Sequence, residues 1–377
     1  MYIRENNILF YRKIGGSKMD DKKNYNMPVP VVNKKEQESL DTLTARYNKL
    51  IEPSKIAKIG KKAGELVPTK IKTMAKDLGI SISEQQIYSQ MMDLVGKGFK
   101  TIEEQAAKFT ISEKQIVAKI NKNSKTQISG VEEICLVRSY DIAKSLNGYK
   151  WQDYISAIIE GAGTGAAGFW GIPFNIVLST FLYFRAVQSV AMFYGYDVKN
   201  DSAELVIASD VFSHALSPVN NDVNNEMTSI IGKIMVMSQA ATVKQMSKKT
   251  WTEMASRGGI PLLLTQMRAL ANKAAQKALE KAGQKGLENT LFKEVFEQIG
   301  KKLTKNAIGR SVPYFSAAFS ALVDTAQMNQ VLEFADIFYQ KRFIMEKENR
   351  IALLTGEADD VIDVDTVEEI VESDVID

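Results

Sequence analysis

Three residues of the types used in hydrolysis recur at helical spacing in one part of the chain. Asp210, His214 and Ser217 are separated by four and then three positions, so a helix would place them along one face. A Ser–His–Asp relay needs the carboxylate and the hydroxyl on opposite nitrogens of the imidazole ring. Three side chains along one helix rarely supply that geometry. We therefore interpret His214 as a structural histidine and keep a soluble hydrolase as the alternative function.

A glycine pattern that could bind phosphate lies upstream. Residues 163–168 read Gly-Thr-Gly-Ala-Ala-Gly, which matches the G-x-G-x-x-G pattern of dinucleotide-binding loops. That loop binds a dinucleotide only between a strand and a helix of a βαβ unit. Residues 151–160 have helical character instead, and no βαβ pattern surrounds the motif. The sequence therefore predicts no nucleotide and no other cofactor.

Residues that bind metals or form disulfides are sparse. Cys135 and His214 are the only cysteine and histidine of the sequence, too few for a Cys/His zinc site or a disulfide framework. We expect no metal site. The single cysteine is typical of a protein from a reducing compartment.

Acidic residues could act in acid–base chemistry, but nothing in the sequence places them in one pocket. The neighbouring Glu132 and Glu133 are one such pair. Asp324 is of more interest, because it falls inside an apolar helical pattern and needs a cationic partner if it is buried. Arg310 and Arg185 are suitable partners. Together, the reactive residue types favour a non-enzymatic protein.

The elements that would position these residues are organised around an uncharged stretch. Residues 161–184 carry no charge and lie between Glu160 and Arg185. Each glycine inside a helix costs about 0.5–1 kcal/mol relative to alanine, so contact or function must offset the loss. Small residues at three- and four-residue steps allow two helix backbones to approach closely. The residues in question are Gly161, Gly163, Gly165, Gly168 and Gly171, followed by Pro173, which breaks or kinks the segment.

The length of this stretch permits a membrane span, since 24 residues in one helix would extend roughly 36 Å. The glycines and Pro173 instead predict two short arms hinged near residues 171–173. Two placements remain open. The arms could dip into one leaflet of a membrane, or they could form a buried helical hairpin inside a soluble protein. Glu160 and Arg185 would mark the water boundary or pair across the hairpin.

Helical periodicity covers most of the remaining chain, and no segment alternates like a strand. Leu40, Leu43 and Tyr47 recur at helical steps, and Ser83 and Ser112 each begin a Ser-x-x-Gln capping box. Further helices are predicted over 131–147, from residue 202 to about 216, over 260–308 and from residue 314 to about 348. The predicted fold is all-α, a multi-helix bundle with a central glycine-rich apolar helical hairpin.

Charge divides the chain into three parts. Residues 356–377 contain ten acidic and no basic residues, so the overall net charge of +3 leaves the rest at +13. We predict a flexible leader over 1–33, a helical domain over 34–350 and a disordered acidic tail over 351–377. The leader contains no apolar signal-peptide core. The expected location is therefore cytoplasmic.

One basic face is predicted in the second half of the chain. Lys273, Lys277, Lys281 and Lys285 recur every four residues, which places them along one side of a helix. Such a face is usually solvated and less often contacts anionic lipid. No aromatic residue accompanies the lysines, and the acidic tail would compete with phosphate. Nucleic acid is therefore not expected as a partner.

Several of these segments resemble the EcsC protein family. The resemblance rests on the glycine-rich run that leads into Gly171-Ile-Pro173, and on the Tyr194-Gly-Tyr-Asp197 motif. It also rests on the Gly-Arg310-Ser-Val-Pro segment and on a final helix that ends in Lys-Arg-Phe343. The similarity covers roughly residues 80–345. The family supplies no catalytic residue set. Its name-giving member is encoded beside the two components of a bacterial ABC transporter that is linked to secretion and protein processing.

The resemblance and the residues together predict a non-enzymatic, membrane-associated accessory or regulatory protein. The expected partners are anionic lipid of the inner leaflet or a membrane transporter. The expected location is the cytoplasm, with peripheral or partial insertion at the inner membrane. The alternative is a soluble hydrolase with a site near the glycine-rich hairpin. The candidate functional polar residues are Glu160, Arg185, Asp197, Asp210, His214, Arg310 and Asp324.

Overall fold

The structure is a computed structural model, which describes residues 25–52, 84–107, 111–148, 151, 171–216, 226–246, 258–308 and 325–357. Within these ranges all regular structure is helical, as eleven α-helices and one 3-10 helix, so the prediction of an all-α multi-helix bundle is confirmed. The first arm of the predicted hairpin lies outside the described residues. Its second arm is one of the long helices.

The helices follow one another in simple order. They are α1 (Lys34–Leu50), α2 (Glu84–Gly96), α3 (Phe99–Ala106), α4 (Glu113–Asn123), the 3-10 helix (Glu132–Leu136), α5 (Ser139–Asn147), α6 (Gly171–Phe193), α7 (Ser202–Ala215), α8 (Glu226–Met237), α9 (Ala240–Met246), α10 (Ile260–Ile308) and α11 (Thr325–Thr355).

Helices α6 and α11 pack against each other at the centre of the bundle. Helix α6 also contacts α2, α3 and α7, while α11 also contacts α1, α7, α8 and the 3-10 helix. Helix α10 lies across α7 and α8. Phe181 and Phe184 of α6 stack with Phe292 of α10 at centroid distances of 4.9 and 5.8 Å, so aromatic contacts join the central and outer helices.

The apolar side chains of α6 are largely buried inside the protein. Among the described residues, Pro173–Phe193 is the one helical span that is long and apolar enough to cross a membrane, and 89% of its apolar window is buried within the fold. A helix at the core of a large bundle is apolar on all sides, as a membrane-spanning helix is, because no side of it faces water. Pro173 lies in the first turn of α6, where its missing N–H loses no helical hydrogen bond.

The end of α6 depends on a glycine. Gly195 has φ +80°, a conformation that residues with side chains rarely adopt. The Arg350 guanidinium donates hydrogen bonds to the Tyr194 and Gly195 carbonyls at 2.8 and 2.7 Å. A Cβ atom at position 195 would overlap this guanidinium. The helix therefore ends where an arginine of α11 caps its carbonyls.

Capping side chains start several helices. Ser112 forms the predicted capping box with Gln115 at the start of α4, and Asp201 caps α7. Ser83 lies outside the described residues. Asn33 and Glu36 form a further capping box at the start of α1 that the sequence analysis did not identify.

The predicted helix over 131–147 is wrong in its first half. A 3-10 helix occupies Glu132–Leu136, and α5 begins only at Ser139. Tertiary hydrogen bonds account for the break. The Val137 carbonyl accepts a hydrogen bond from Lys347 and the Ser139 N–H donates to Glu36, so neither group serves a continuous helix.

Helix α10 is kinked where the predicted lysine row would continue. Gly283 has φ +65° and ψ 173°, which are non-helical angles. Lys273, Lys277 and Lys281 precede this kink and are exposed, whereas Lys285 follows it. The basic row on one straight helix face is therefore three residues long.

Candidate functional site

The most unusual chemical feature of the described residues is a set of buried charges on α11. Asp336, Lys341, Arg342 and Lys347 are each at most 6% exposed. Helix α11 is enclosed by protein on several sides, so these groups cannot be hydrated. A buried charge is tolerated only when partners satisfy it.

Arg342 is satisfied by a bidentate ion pair with Glu204 of α7. Its two terminal nitrogens lie 2.6 and 2.8 Å from the two Glu204 oxygens. Arg268 of α10 also donates to Glu204, and its second nitrogen lies 2.6 Å from Asp201. One carboxylate therefore joins three helices, α7, α10 and α11. We call these four residues the Glu204 cluster.

An aromatic ring covers the outer side of Arg342. The guanidinium lies 4.0 Å from the centre of the Tyr196 ring, and Arg350 lies 4.6 Å from the same centre. The Tyr196 hydroxyl donates to Glu346 at 2.8 Å, and Glu346 in turn accepts from Arg342 at 3.1 Å. The motif that contains Tyr196 thus encloses the cation.

Burial and ion pairing act in opposite directions on Glu204. Burial raises the pKa of its carboxyl, but the positive charges of Arg342 and Arg268 outweigh burial and lower the pKa to about 2. The same carboxylate raises the pKa of Arg342 well above its usual value against the effect of burial. Both groups are therefore charged at neutral pH and are unsuited to proton transfer.

A second cluster is centred on Glu36 of α1, which is fully buried. Its two oxygens accept from Lys347 at 2.8 Å, from Arg138 at 2.9 Å and from the Ser139 N–H at 2.9 Å. Arg138 also donates to the Pro30 and Val31 carbonyls. The cluster therefore joins α1, α5 and α11 to the chain before α1.

Glu36 and Lys347 differ in how far their partners offset the effect of burial on their pKa values. Burial raises the pKa of Glu36, but Lys347 and the hydrogen bonds outweigh burial, so the net pKa is lowered. Burial lowers the pKa of Lys347, and its attraction to Glu36 offsets this only in part, because Arg138 repels it. We infer that Glu36 stays ionised because it accepts hydrogen bonds from two cations, Lys347 and Arg138. Lys347 pairs with this one carboxylate and shares it with Arg138.

Asp336 of α11 is the centre of a third group of polar contacts, which involves Arg46 of α1 and Tyr194, the residue after α6. It accepts from the Tyr194 hydroxyl at 2.6 Å and from Arg46 at 3.1 Å. Burial raises the pKa of Asp336 more than these two partners lower it. Arg46 also reaches Glu333 at 3.3 Å. The pKa of Asp336 is therefore raised, whereas the pKa values of Glu36 and Glu204 are lowered.

Lys341 differs from the other buried cations, because it has no carboxylate within ion-pair distance in the described part of the chain. Its ammonium donates to the Thr44 hydroxyl at 2.8 Å and to the Met235 carbonyl. That carbonyl lies in the last turn of α8, where carbonyls lack helical partners and a positive charge is favourable. Burial lowers the pKa of Lys341 to about 8, with Asp41 opposing the shift.

Arg185 and Asp197 have structural partners. Arg185 lies 3.0 Å from Glu288 of α10. Asp197 accepts from the backbone N–H groups of Lys199 and Asn200, which stabilises the turn after α6. Glu160, Gly161, Gly163, Gly165, Gly168, Arg310 and Asp324 lie outside the described residues, and Gly171 is the first residue of α6.

The proposed hydrolytic residues of α7 point to different neighbours. Asp210 accepts a hydrogen bond from Thr228 at 3.2 Å. The His214 ring lies 5.2 Å from the centre of the Phe334 ring. Ser217 lies outside the described residues. Neither of these two contacts is one that a hydrolytic relay uses.

No group of three or more histidine, cysteine or acidic side chains that could hold a metal occurs among the described residues. The buried clusters contain arginine or lysine wherever they contain a carboxylate. Such pairs orient helices and fix their register. The buried clusters therefore hold α11 against its neighbours.

A model of the EcsC protein family matches residues 31–344 of the chain. The chain belongs to the EcsC protein family. The match starts three residues before α1, earlier than the resemblance at about residue 80 had indicated. Comparisons with curated proteins and with solved structures gave no match.

The EcsC match includes most of the buried clusters. Glu36, Glu204 and Arg342 lie within it, and Lys347 lies three residues beyond its end. The sequence analysis missed all four as structural centres. A signal was present for Glu204, because it is a charge inside a helical segment that is otherwise largely apolar. Their partners could not be read from the sequence, since Glu36 and Lys347 are 311 positions apart.

Proposed function

We propose that this EcsC family member is a non-enzymatic accessory or regulatory protein that associates with the inner membrane and acts near a membrane transporter. It binds the membrane from the cytoplasmic side. The association is peripheral or involves shallow insertion.

The burial of α6 is the observation that supports this mode of association. A helix whose apolar window is 89% enclosed by the fold has little apolar surface left for acyl chains. Membrane contact then has to come from the protein surface or from residues 161–170, which precede α6 and carry no charge. In this proposal the residues of the second arm stay in the protein core, and membrane contact is made elsewhere.

Surface charge supports an anionic membrane as the partner. Lys277 and Lys281 are exposed on α10 and form no ion pair with the described residues. Glu280 lies on the same face and offsets one of the positive charges. Each lysine near an anionic membrane surface contributes about 1 kcal/mol to binding. The effect of two lysines is therefore measurable.

The alternative function, a soluble hydrolase, gains no support from the contacts of Asp210 and His214. Asp210 contacts Thr228 and the His214 ring packs near Phe334, and neither contact is part of a hydrolytic relay. Burial lowers the pKa of Lys341 to about 8, but its ammonium is engaged with Thr44 and the end of α8.

Vesicle flotation of the intact protein tests the proposal. We expect binding to vesicles that contain phosphatidylglycerol, no binding to pure phosphatidylcholine, and weaker binding at high salt. Lys277→Gln with Lys281→Gln should weaken binding about tenfold or more. The control is Lys97→Gln with Lys100→Gln, a second pair of neighbouring lysines whose side chains are 84% and 87% exposed. A protein that stays unbound with both vesicle types would overturn the proposal.

The glycine-rich run has its own flotation test. Gly163→Leu with Gly165→Leu adds bulk to a stretch whose small residues permit close approach. If residues 161–170 contribute to membrane association, this variant should partition differently from the intact chain. Equal partitioning of the two proteins would assign the association to the charged surface alone.

A further inference from the structure

Exposed large apolar side chains are rare among the described residues. Four are found, namely Val29, Val236, Met237 and Leu353. Val236 and Met237 are neighbours in the last turn of α8, and they are 49% and 52% exposed. Single exposed apolar residues need no explanation, but two adjacent ones at a helix end form a small apolar patch.

The patch lies at the corner between α8 and α9, and buried neighbours fix its position. The other side of α8 is buried through Ile230, Ile234 and Met235. Ser238, which follows the helix, is also buried and donates to the Ile234 carbonyl at 2.7 Å. Lys341 holds the Met235 carbonyl from within. Val236 and Met237 therefore face outward because the residues on either side of them are bound inward.

Two exposed lysines lie on the helices that form this corner. Lys233 precedes the apolar pair on the outer face of α8, and Lys244 is exposed on α9. Residues 233–246 contain these two basic residues and no acidic residue. Apolar side chains with cations beside them are the composition of surfaces that lie in the membrane interface.

The size of the patch favours a membrane over a protein as the occupant. A stable protein interface buries about 800 Å² on each partner, which two half-exposed side chains do not approach. A bilayer accepts individual side chains at the boundary between headgroups and acyl chains. The positive charge of the surroundings selects an anionic bilayer.

We infer that the corner between α8 and α9 is the surface by which this protein docks on an anionic bilayer. Val236 and Met237 enter the headgroup boundary, while Lys233 and Lys244 contact lipid phosphates. This inference rests on the proposed function and names the surface that carries it out. It adds an apolar contribution to the electrostatic one of α10.

The first experiment removes the apolar pair. Val236→Ser with Met237→Ser should reduce partitioning onto phosphatidylglycerol vesicles by roughly tenfold, because two apolar side chains lose their burial. The matched control is Val29→Ser with Leu353→Ser, which removes the other two exposed apolar side chains. The control should bind like the intact chain. Circular dichroism and thermal unfolding verify that both variants are folded.

The second experiment observes the corner directly. Met237→Cys, labelled with an environment-sensitive fluorophore, should show a blue shift and a higher intensity with phosphatidylglycerol vesicles. Cys135 is 1% exposed and will not compete for the label in the folded protein. A label at Val29→Cys, which is 87% exposed in the free protein, should not respond.

The outcomes separate the inference from the proposed function. If the intact chain binds vesicles, but the serine variant binds equally and the label at position 237 does not respond, the corner is not the docking surface and the proposed function stands. If the intact chain binds no vesicle, both fall. If the labels at 237 and 29 respond alike, the protein adsorbs without orientation and the inference is wrong.

Discussion

The Glu204 carboxylate of α7 binds the Arg342 guanidinium of α11 in parallel, with N–O distances of 2.6 and 2.8 Å, and both side chains are shielded from water. A fork-to-fork pair fixes both the distance and the rotation of two helices. It also makes each partner dependent on the other, since either charge alone would be buried without compensation. The bundle is therefore joined at its centre by charge as well as by apolar packing.

Glu204→Gln should destabilise the protein by about 3–5 kcal/mol, because it leaves Arg342 and Arg268 without their shared anion. Urea unfolding followed by circular dichroism measures the loss. Glu280→Gln on the exposed face of α10 is the control and should change the unfolding free energy by less than about 0.5 kcal/mol. A loss below 1 kcal/mol for Glu204→Gln would mean that the arginines find other partners.

The same carboxylate predicts an acid limit of stability. Its pKa is about 2 in the folded protein and near 4.5 without the fold, so its stabilisation is complete above pH 4.5. As the pH falls from about 4.5 to 2, roughly 3 kcal/mol should be lost through this group. The unfolding free energy of Glu204→Gln should vary less with pH in this window than that of the intact chain. Parallel pH profiles for the two proteins would contradict the assignment.

Lys341 predicts a second rise of stability with pH, in the alkaline range. Its pKa is about 8 in the fold and near 10.5 when hydrated, so the folded protein binds fewer protons than the unfolded chain between these values. Stability then rises with pH across this window, because the penalty for burying the charge disappears as the ammonium loses its proton. Below pH 8 the penalty is constant.

The difference between the intact chain and Lys341→Met isolates this effect from other titrations. Between pH 7 and pH 10, the unfolding free energy of the intact chain should rise by roughly 2–3 kcal/mol relative to that of Lys341→Met. Lys281→Met, at an exposed position of α10, should show no such change relative to the intact chain. A constant difference between the intact chain and Lys341→Met over this range would show that Lys341 is hydrated.

The Glu36–Lys347 pair predicts strong coupling between α1 and α11. Glu36→Gln leaves Lys347 and Arg138 facing a neutral amide, and it should cost about 3–5 kcal/mol. Adding Lys347→Met removes the most buried of the unpaired cations and should restore part of the loss. A double-mutant cycle should give a coupling of at least about 1 kcal/mol. Strictly additive effects would show that the two groups act independently.

How far the sequence predicts this structure depends on the range of each interaction. Helices with regular periodicity, such as the one containing Leu40, Leu43 and Tyr47, were predicted because their signal lies within one segment. The same holds for the Ser112 cap. In each case a local hydrogen bond or backbone angle decides the outcome.

The buried clusters could not be predicted in the same way. Glu204 and Arg342 are 138 positions apart, and no periodicity relates them. Arg138 could equally have been solvated, and the break before α5 exists because Glu36 takes the Ser139 N–H. Tertiary contacts of this kind override local propensity. The partners of the candidate polar residues Asp197 and Arg185 appear only in the fold.

Gly195 allows the packing of α6 and α11 to be tested without removing a charge. Gly195→Ala introduces a side chain where φ is +80° and where Arg350 approaches the backbone, so strain and overlap act together. The loss should reach about 1–3 kcal/mol in urea unfolding, with faster amide exchange at the end of α6. Gly96→Ala is the control, because a Cβ atom there meets nothing within 4 Å. If Arg350→Ala in the same background removes most of the loss, overlap with the guanidinium is the main cause. If it removes none, backbone strain at position 195 alone explains why α6 has to end at a glycine.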